Sequence, residues 1–460
     1  MSLPTTPYRT AFSATCALAS LLWAASVLPA QTAEAPRFTD RAEASGLDFV
    51  NFNGMTGKLY FVEMMGGGLA LLDYDRDGDL DVYLVQETLL ADDSVADAVF
   101  PPRHPLPLTD RLYRNDGWTD ATGERHLAFT DVSEAADLPA GDYGMGVTSG
   151  DIDNDGWPDL YVNNFGPNRM LRNRGDGTFE DITESSGTGE PRWSAAASFF
   201  DYDADGLLDL YVGNYVDYRM ATDRPCFSDT GVLDYCGPGA FSGVTDRLFR
   251  NLGDGAFEVV SKRSGIGSDL GKGLGSVVSD FDGDGRLDLY VTNDGERNFM
   301  WLNQGDGTFL DGALLSGTAV NEQGMPEASM GVVVGDLDGD GLDDLFMAHL
   351  KSETNTLYRN EGGGLFTDTT GESGVGLPSW SFTGFGIGLV DFDNDSDLDM
   401  YIANGAVLLL EDLLLAGDPY PIHQRNLLFR NEGGGRFTDV SEAAGTALAP
   451  SEVSRGVAVG

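Results

Sequence analysis

DYDRDGDLDVYLV, Asp73 to Val85, sets five aspartates within nine residues and then turns abruptly apolar. Carboxylates this close repel one another and resist burial unless something neutralises them. The stretch recurs: DIDNDGWPD begins at Asp151, DYDADGLLD at Asp201, DFDGDGRLD at Asp280, DLDGDGLDD at Asp336 and DFDNDSDLD at Asp391. Aspartate stands at positions 1, 3, 5 and 9 of every copy. These are Asp73, Asp75, Asp77 and Asp81; Asp151, Asp153, Asp155 and Asp159; Asp201, Asp203, Asp205 and Asp209. The later copies supply Asp280, Asp282, Asp284 and Asp288; Asp336, Asp338, Asp340 and Asp344; Asp391, Asp393, Asp395 and Asp399. Five of six copies have glycine at position 6, where a sharp turn needs a left-handed backbone, and Ser396 stands there in the sixth. Alternating oxygen ligands, a glycine turn and a closing carboxylate are what a hard cation such as Ca2+ requires. Plain solvated turns need one or two aspartates, not four at fixed spacing. The pattern predicts up to six structural calcium sites.

An EF-hand begins the same way but needs a bidentate Glu at position 12 and then a helix. Position 12 here is Leu84, Val162, Val212, Val291, Met347 or Ile402, each in a β-branched or aromatic run. The chain leaves each loop as a buried strand. A segment of small residues enters each loop (GMGVTSGD, SAAASFFD, GLGSVVSD), and two further elements follow. One is LYRN and its variants at 112, 170, 248, 300, 357 and 428; the other is FTD and its variants at 129, 179, 257, 309, 366 and 437. Loop spacings of 78, 50, 79, 56 and 55 residues then describe four short strands per unit, the signature of a propeller blade.

A seventh FTD element, FTDRA, stands at Phe38, and the sequence closes on RGVAVG, which matches the strand ahead of every loop. The expectation is an all-β, seven-bladed β-propeller over 38–460 whose seventh blade is incomplete. Three insertions, 86–110, 214–245 and 405–426, all join strands two and three. They lie on the face away from the acidic loops.

These motifs resemble the FG-GAP/VCBS repeat family, whose D-x-D-x-D-G-x-x-D calcium loops occur in integrin α-chain propellers. Together with FVEMMGGGLALLDYDRDGDLD and the YCGPGAF segment at 235–241, they are most similar to bacterial relatives of cartilage acidic protein. Those relatives commonly carry an ASPIC/UnbV domain after the propeller. Its absence here reads as truncation before that domain.

Composition narrows the function. Lys plus Arg number 28 and Asp plus Glu 74, a net charge of −46 that six bound Ca2+ would reduce to −34. Nucleic acid and anionic membrane are poor partners for such a chain. At the N-terminus Arg9 precedes an apolar run from Ala11 to Val27 that ends at LPA, so 1–30 reads as a signal peptide, with a membrane anchor as the alternative. A secreted, periplasmic or cell-surface protein is expected, with no membrane insertion after signal cleavage. Cys226 and Cys236 then form an isolated pair. An oxidising compartment favours a disulfide; two free thiols or a metal pair are the alternatives, although no neighbouring His supports zinc.

The residue ending strand two is Gln86, Asn164, Asn214, Asn293, His349 or Asn404. Either these are turn residues tolerant of left-handed backbone, or they form a hydrogen-bonding rim for a polar ligand such as a glycan. Tyr215, Tyr218, Tyr235 and Phe241 could stack on a sugar or pack the 214–245 insertion. With four His and neither G-x-S-x-G nor H-E-x-x-H, no catalytic residue is assigned. The sequence thus favours a non-catalytic extracellular binding or adhesion module with a glycan or protein partner. The alternative is a propeller enzyme acting on extracellular polysaccharide.

Overall fold

Each acidic loop is tight enough to fold the strand leaving it back onto the strand entering it. In the unit built on Asp151, Gly144–Gly150 runs antiparallel to Asp159–Asn164, with Thr148 opposite Tyr161. Arg169–Asn173 pairs next and Phe179–Asp181 completes the sheet. The structure, a computed structural model, describes residues 37–90, 93–228 and 230–460. The expected signal peptide lies outside the described residues.

Among the described residues six such four-stranded meanders form. Their entering strands are Leu69–Leu72, Gly144–Gly150, Ser194–Phe200, Gly273–Ser279, Val332–Gly335 and Gly384–Val390, and these neighbour one another in chain order. Such a succession is a β-propeller, with the small-residue strands innermost. Apolar side chains of adjacent blades interlock: Ile152, Tyr161 and Met170 of blade two meet Leu210, Val212, Phe249 and Phe257 of blade three. The strand-two tyrosines Tyr83, Tyr161, Tyr211 and Tyr290 are fully buried. Their hydroxyls donate to Asp110, Thr188 O, Asp246 and Thr318 O.

The expectation of seven blades is corrected to six. Residues 37–41 form no strand and run into a one-turn helix, Ala42–Ser45, while 455–460 belongs to no sheet. A blade is a ladder of paired strands, whereas the backbone of 455–460 lies against innermost segments without forming a ladder. Gly386 N–H donates to Arg455 O at 2.6 Å, as Gly68 N–H of blade one donates to Met145 O of blade two at 3.0 Å. On its other side, a Cβ on Gly456 would stand 2.9 Å from Gly67 O. The segment therefore lies between the inner strands of blades six and one. Phe38 lies farther out, its N–H donating to Ala444 O and its ring meeting Phe392 edge-on.

Backbones pass so closely near the axis that some inner-strand positions admit no side chain. At Gly331 a Cβ would come within 1.7 Å of Phe385 O, closer than any real contact. A channel results, lined by the innermost residues of all six blades and by Arg455–Val457.

The far end of the channel is covered. A 3-10 turn, Phe61–Met64, packs its phenyl ring on Trp193, Tyr215, Tyr218 and Phe241. This aromatic cluster joins residues before the first blade to the 214–245 insertion, inside which Cys226 and Cys236 are disulfide-bonded. Arg455 pins the same region. Its guanidinium donates to Met64 O, Gly405 O, Ser454 O and Ala406 O and stacks 4.1 Å from the Phe385 ring centre.

Candidate cation-binding loops and the opposite face

Aspartate is favoured in these loops because its short carboxylate can satisfy backbone N–H groups of its own turn. In the second loop, Asp151 accepts from the amides of Asp155 (3.1 Å) and Gly156 (2.8 Å), and Asp155 accepts from Trp157 (2.9 Å). Asp159 divides its oxygens. Oδ2 accepts from Ile152 N–H inside the loop (3.0 Å) and Oδ1 from Asn173 N–H in strand three (2.7 Å). Equivalent bonds recur in the other five copies. Gly156 sits at φ +90°, and Ser396 holds the same turn at φ +79°, its N–H still bonded to Asp391. A side chain in that region costs about 1–2 kcal/mol, so the sixth loop keeps its shape under strain.

Three of the four aspartates converge. Asp151, Asp153 and Asp159 each offer an oxygen within 4.8 Å of the others, as do Asp73, Asp75 and Asp81; Asp201, Asp203 and Asp209; and Asp280, Asp282 and Asp288. The position-5 residues Asp77, Asp155, Asp205, Asp284, Asp340 and Asp395 instead cap the amide of position 7. Position 3 is the most exacting of the four for a partner. One Oδ1 on each of Asp75, Asp153, Asp203 and Asp393 is buried and has no hydrogen-bond partner.

The electrostatics follow. Burial pushes Asp159, Asp209 and Asp288 up to about 7 and Asp81, Asp344 and Asp399 up to about 6, against two backbone donors that favour the ionised form. Burial, then the position-5 carboxylate, also raises Asp75, Asp153, Asp282, Asp338 and Asp393. In loop three Arg250 of strand three bridges Asp203 (2.6 Å) and Asp205 (2.8 Å) and offsets part of the repulsion. Oxygen-only donors that are costly to ionise while unneutralised fit a hard divalent cation.

The residues ending strand two form no exposed rim, and none has the left-handed backbone of the turn reading. Gln86, Asn164, Asn214, Asn293, His349 and Asn404 are all buried. Their amides donate to Asp110, Asn168, Asp246, Asn298, Asn355 and Asn426 at 2.7–3.0 Å. Side-chain Nδ2 groups of Asn164, Asn214, Asn293 and Asn404 close the same turn onto the carbonyl just before that acceptor. The His349 ring has no hydrogen-bond partner, and burial lowers it to about 3. Tyr215, Tyr218 and Tyr235 are likewise buried within the cap.

Several residues with a clear role here were not singled out from the sequence. The acceptors above lie five residues ahead of the asparagine ending each LYRN element, in all six copies, which was a readable signal. No repeat marks Glu63 and Glu87 under the cap. Each is buried with one carboxylate oxygen unpartnered, and burial pushes each up to about 8. Tyr235 donates to Glu63 and Asn51 to Glu87.

A family model described as FG-GAP-like repeat matches residues 73–162, 151–212, 231–291, 280–347 and 336–402. Cartilage acidic protein 1 of Xenopus tropicalis is 27% identical over 167 residues, covering 34% of this chain and 25% of that protein. The Mus musculus protein is 28% identical over 178 residues, 36% of this chain and 27% of its own length. The chain thus spans about a quarter of the length of these curated relatives. Among solved structures, an Agrocybe aegerita lectin described in terms of recognition of non-reducing terminal N-acetylglucosamine matches at TM-score 0.34 and 16% identity, over 72% of this chain and 86% of that one.

Proposed function

Because the chain belongs to the FG-GAP-like repeat family, we propose that it is a secreted, calcium-stabilised propeller that binds an extracellular glycan or protein partner without turning it over. The observation that carries the calcium assignment is the set of buried, unpartnered position-3 oxygens on Asp75, Asp153, Asp203 and Asp393, the first three of which converge with two other carboxylates. Positions 1, 3 and 9 of each loop would hold the ion. When bound, calcium supplies the positive charge that lets these buried carboxylates stay ionised together. The chain's own part is to fix the oxygens: turn amides orient positions 1 and 5, and strand three orients position 9.

The binding reading draws support from the contrast between the two faces. One face repeats the same loop six times. The other carries the irregular 86–110, 214–245 and 405–426 insertions on a rigid base, the usual arrangement for recognition. The Cys226–Cys236 bridge supports an oxidising compartment. Among the described residues no helix is long and apolar enough to cross a membrane.

The test is binding to a glycan array and to intact cell surfaces, in calcium and in chelator. Saturable binding that survives mutation of any single loop, yet disappears when 217–242 is replaced by a short turn, is the expected result. Turnover of a polysaccharide by the intact protein, or binding that maps to the acidic loops, would overturn it.

A further inference from the structure

The asparagine that ends strand three does more than close its own blade. Asn251 N–H donates to Asp209 of its own loop at 2.8 Å, and Asn251 Nδ2 donates to Leu208 O at 2.9 Å and, across the blade boundary, to Ile152 O at 2.8 Å. Ile152 is position 2 of the preceding loop. The same crossing is made by Asn173 to Tyr74 O (2.8 Å), Asn303 to Tyr202 O (2.7 Å), Asn360 to Phe281 O (3.5 Å) and Asn431 to Leu337 O (2.9 Å).

The position-2 peptide lies between the converging carboxylates of positions 1 and 3. Its amide is held by position 9 of its own loop, as Ile152 N–H is by Asp159, and its carbonyl by the next blade. The orientation of Asp151 and Asp153 therefore depends on Asn251, whose own backbone is fixed by Asp209. Packing follows the same route. A Cβ on Gly364 of blade five would stand 3.2 Å from the Asp282 Cβ, and one on Gly435 of blade six 3.3 Å from the Asp338 Cβ, so the following blade packs against each position-3 aspartate there. Among the described residues no blade comes after the sixth in chain order, and the position-2 residue of its loop, Phe392, is only half-buried where the other five are buried.

We infer that the six cation loops are coupled in series: Asn173, Asn251, Asn303, Asn360 and Asn431 are positioning residues that each set the affinity of the loop in the blade before their own. This rests on the calcium reading of the loops. Coupling between binding sites is reciprocal, so an ion in loop three strengthens loop two and the reverse.

Trp157 is the sole tryptophan in any of the six loops, which makes loop two separately observable. The probe is terbium(III), a hard cation taking oxygen ligands, with luminescence sensitised through tryptophan; the part of the signal lost in Trp157→Phe reports loop two. Asn251→Ala should raise the terbium concentration that half-saturates this signal by roughly three- to tenfold, the effect of one hydrogen bond. Asn115→Ala should leave it unchanged within about twofold, because Asn115 Nδ2 bonds only Leu80 O of its own blade. Asp209→Asn, which removes a ligand charge from loop three and leaves Asn251 in place, should weaken loop two several-fold, and it serves if Asn251→Ala fails to fold. A loop-two titration unchanged in both Asn251→Ala and Asp209→Asn overturns the coupling while leaving calcium binding intact. No Trp157-dependent signal in the unmodified protein overturns the calcium reading and the coupling together.

Discussion

Replacing Asp153 by Asn should change stability in opposite directions with and without calcium. Asp151, Asp153 and Asp159 place oxygens within 4.8 Å of one another, and one Asp153 oxygen is buried without a partner. Two unit charges at that distance repel by about 1 kcal/mol in water and about 3.5 kcal/mol at an effective dielectric of 20. A pH of 8 lies above the value of about 7 to which burial pushes the Asp159 carboxyl. The substitution removes two of the three repulsive pairs, about 2 kcal/mol at the solvated limit and more if the site is drier. Unfolding entropy of about 2.1 cal/mol/K per residue makes 1 kcal/mol worth roughly 1 °C in a domain of this size, so the melting temperature should rise by about 2 °C or more. In millimolar calcium the same change removes a charged ligand and should lower it. Calorimetry of both proteins in both buffers is the assay. A shift of the same sign under both conditions would refute the view that position 3 is a destabilising charge held in place for a cation.

Calcium at a hundredfold excess over its dissociation constant adds about 2.7 kcal/mol per site, so six sites should raise the melting temperature by on the order of 15 °C relative to chelator; equal midpoints exclude a structural metal. Glu87 keeps its proton in the folded state up to about 8, whereas an unfolded glutamate releases it near about 4.3. Between those values the unfolded chain binds fewer protons, so stability falls as pH rises, by at most about 1.4 kcal/mol per pH unit from this group, and is level above the window. Glu87→Gln should show a shallower decline across pH 5–8 in denaturant titrations, and an unchanged slope would mean that Glu87 is ionised throughout. Reducing the Cys226–Cys236 bridge opens a loop with a sequence separation of 10. Chain entropy puts its contribution at about 2–3 kcal/mol. Hydrogen exchange should then accelerate within 217–245 but stay slow in Asp209–Asn214; acceleration in both would make the bridge essential to blade three.

The acidic loops and the four-strand unit were legible because they are local: ligand spacing, a turn glycine and a β-branched exit all fall within about fifteen residues. The insertions follow from counting between repeats. What escaped depends on contacts between distant segments. Asn251 reads as the end of a strand; its bond to Ile152, 99 residues earlier, exists only once two blades stand side by side. Glu63 and Glu87 lie in stretches that repeat nothing, and they come near Arg455 only because the cap folds across the axis. The polar residues ending strand two were visible as a pattern. Their burial was not, since it depends on an acceptor supplied from the start of strand three. The count of blades failed for a related reason: RGVAVG carries the inner-strand composition, but a blade also needs the partner strands that make a ladder.

One further consequence lies at the rim. The outermost strand of every blade is three residues long (Phe129–Asp131, Phe179–Asp181, Phe257–Val259, Phe309–Asp311, Phe366–Asp368 and Phe437–Asp439), and in four blades a one-turn helix follows almost at once. Templated growth of one chain's sheet onto another's needs an unpaired stretch of about six residues, and none of these six rims offers it. Mutual repulsion from a charge of −46 would keep copies apart in dilute buffer, but divalent cations and salt both weaken that repulsion. The short outer strands do not depend on charge. They leave the protein protected from sheet-to-sheet aggregation in calcium-rich, saline surroundings, where electrostatics alone would fail it.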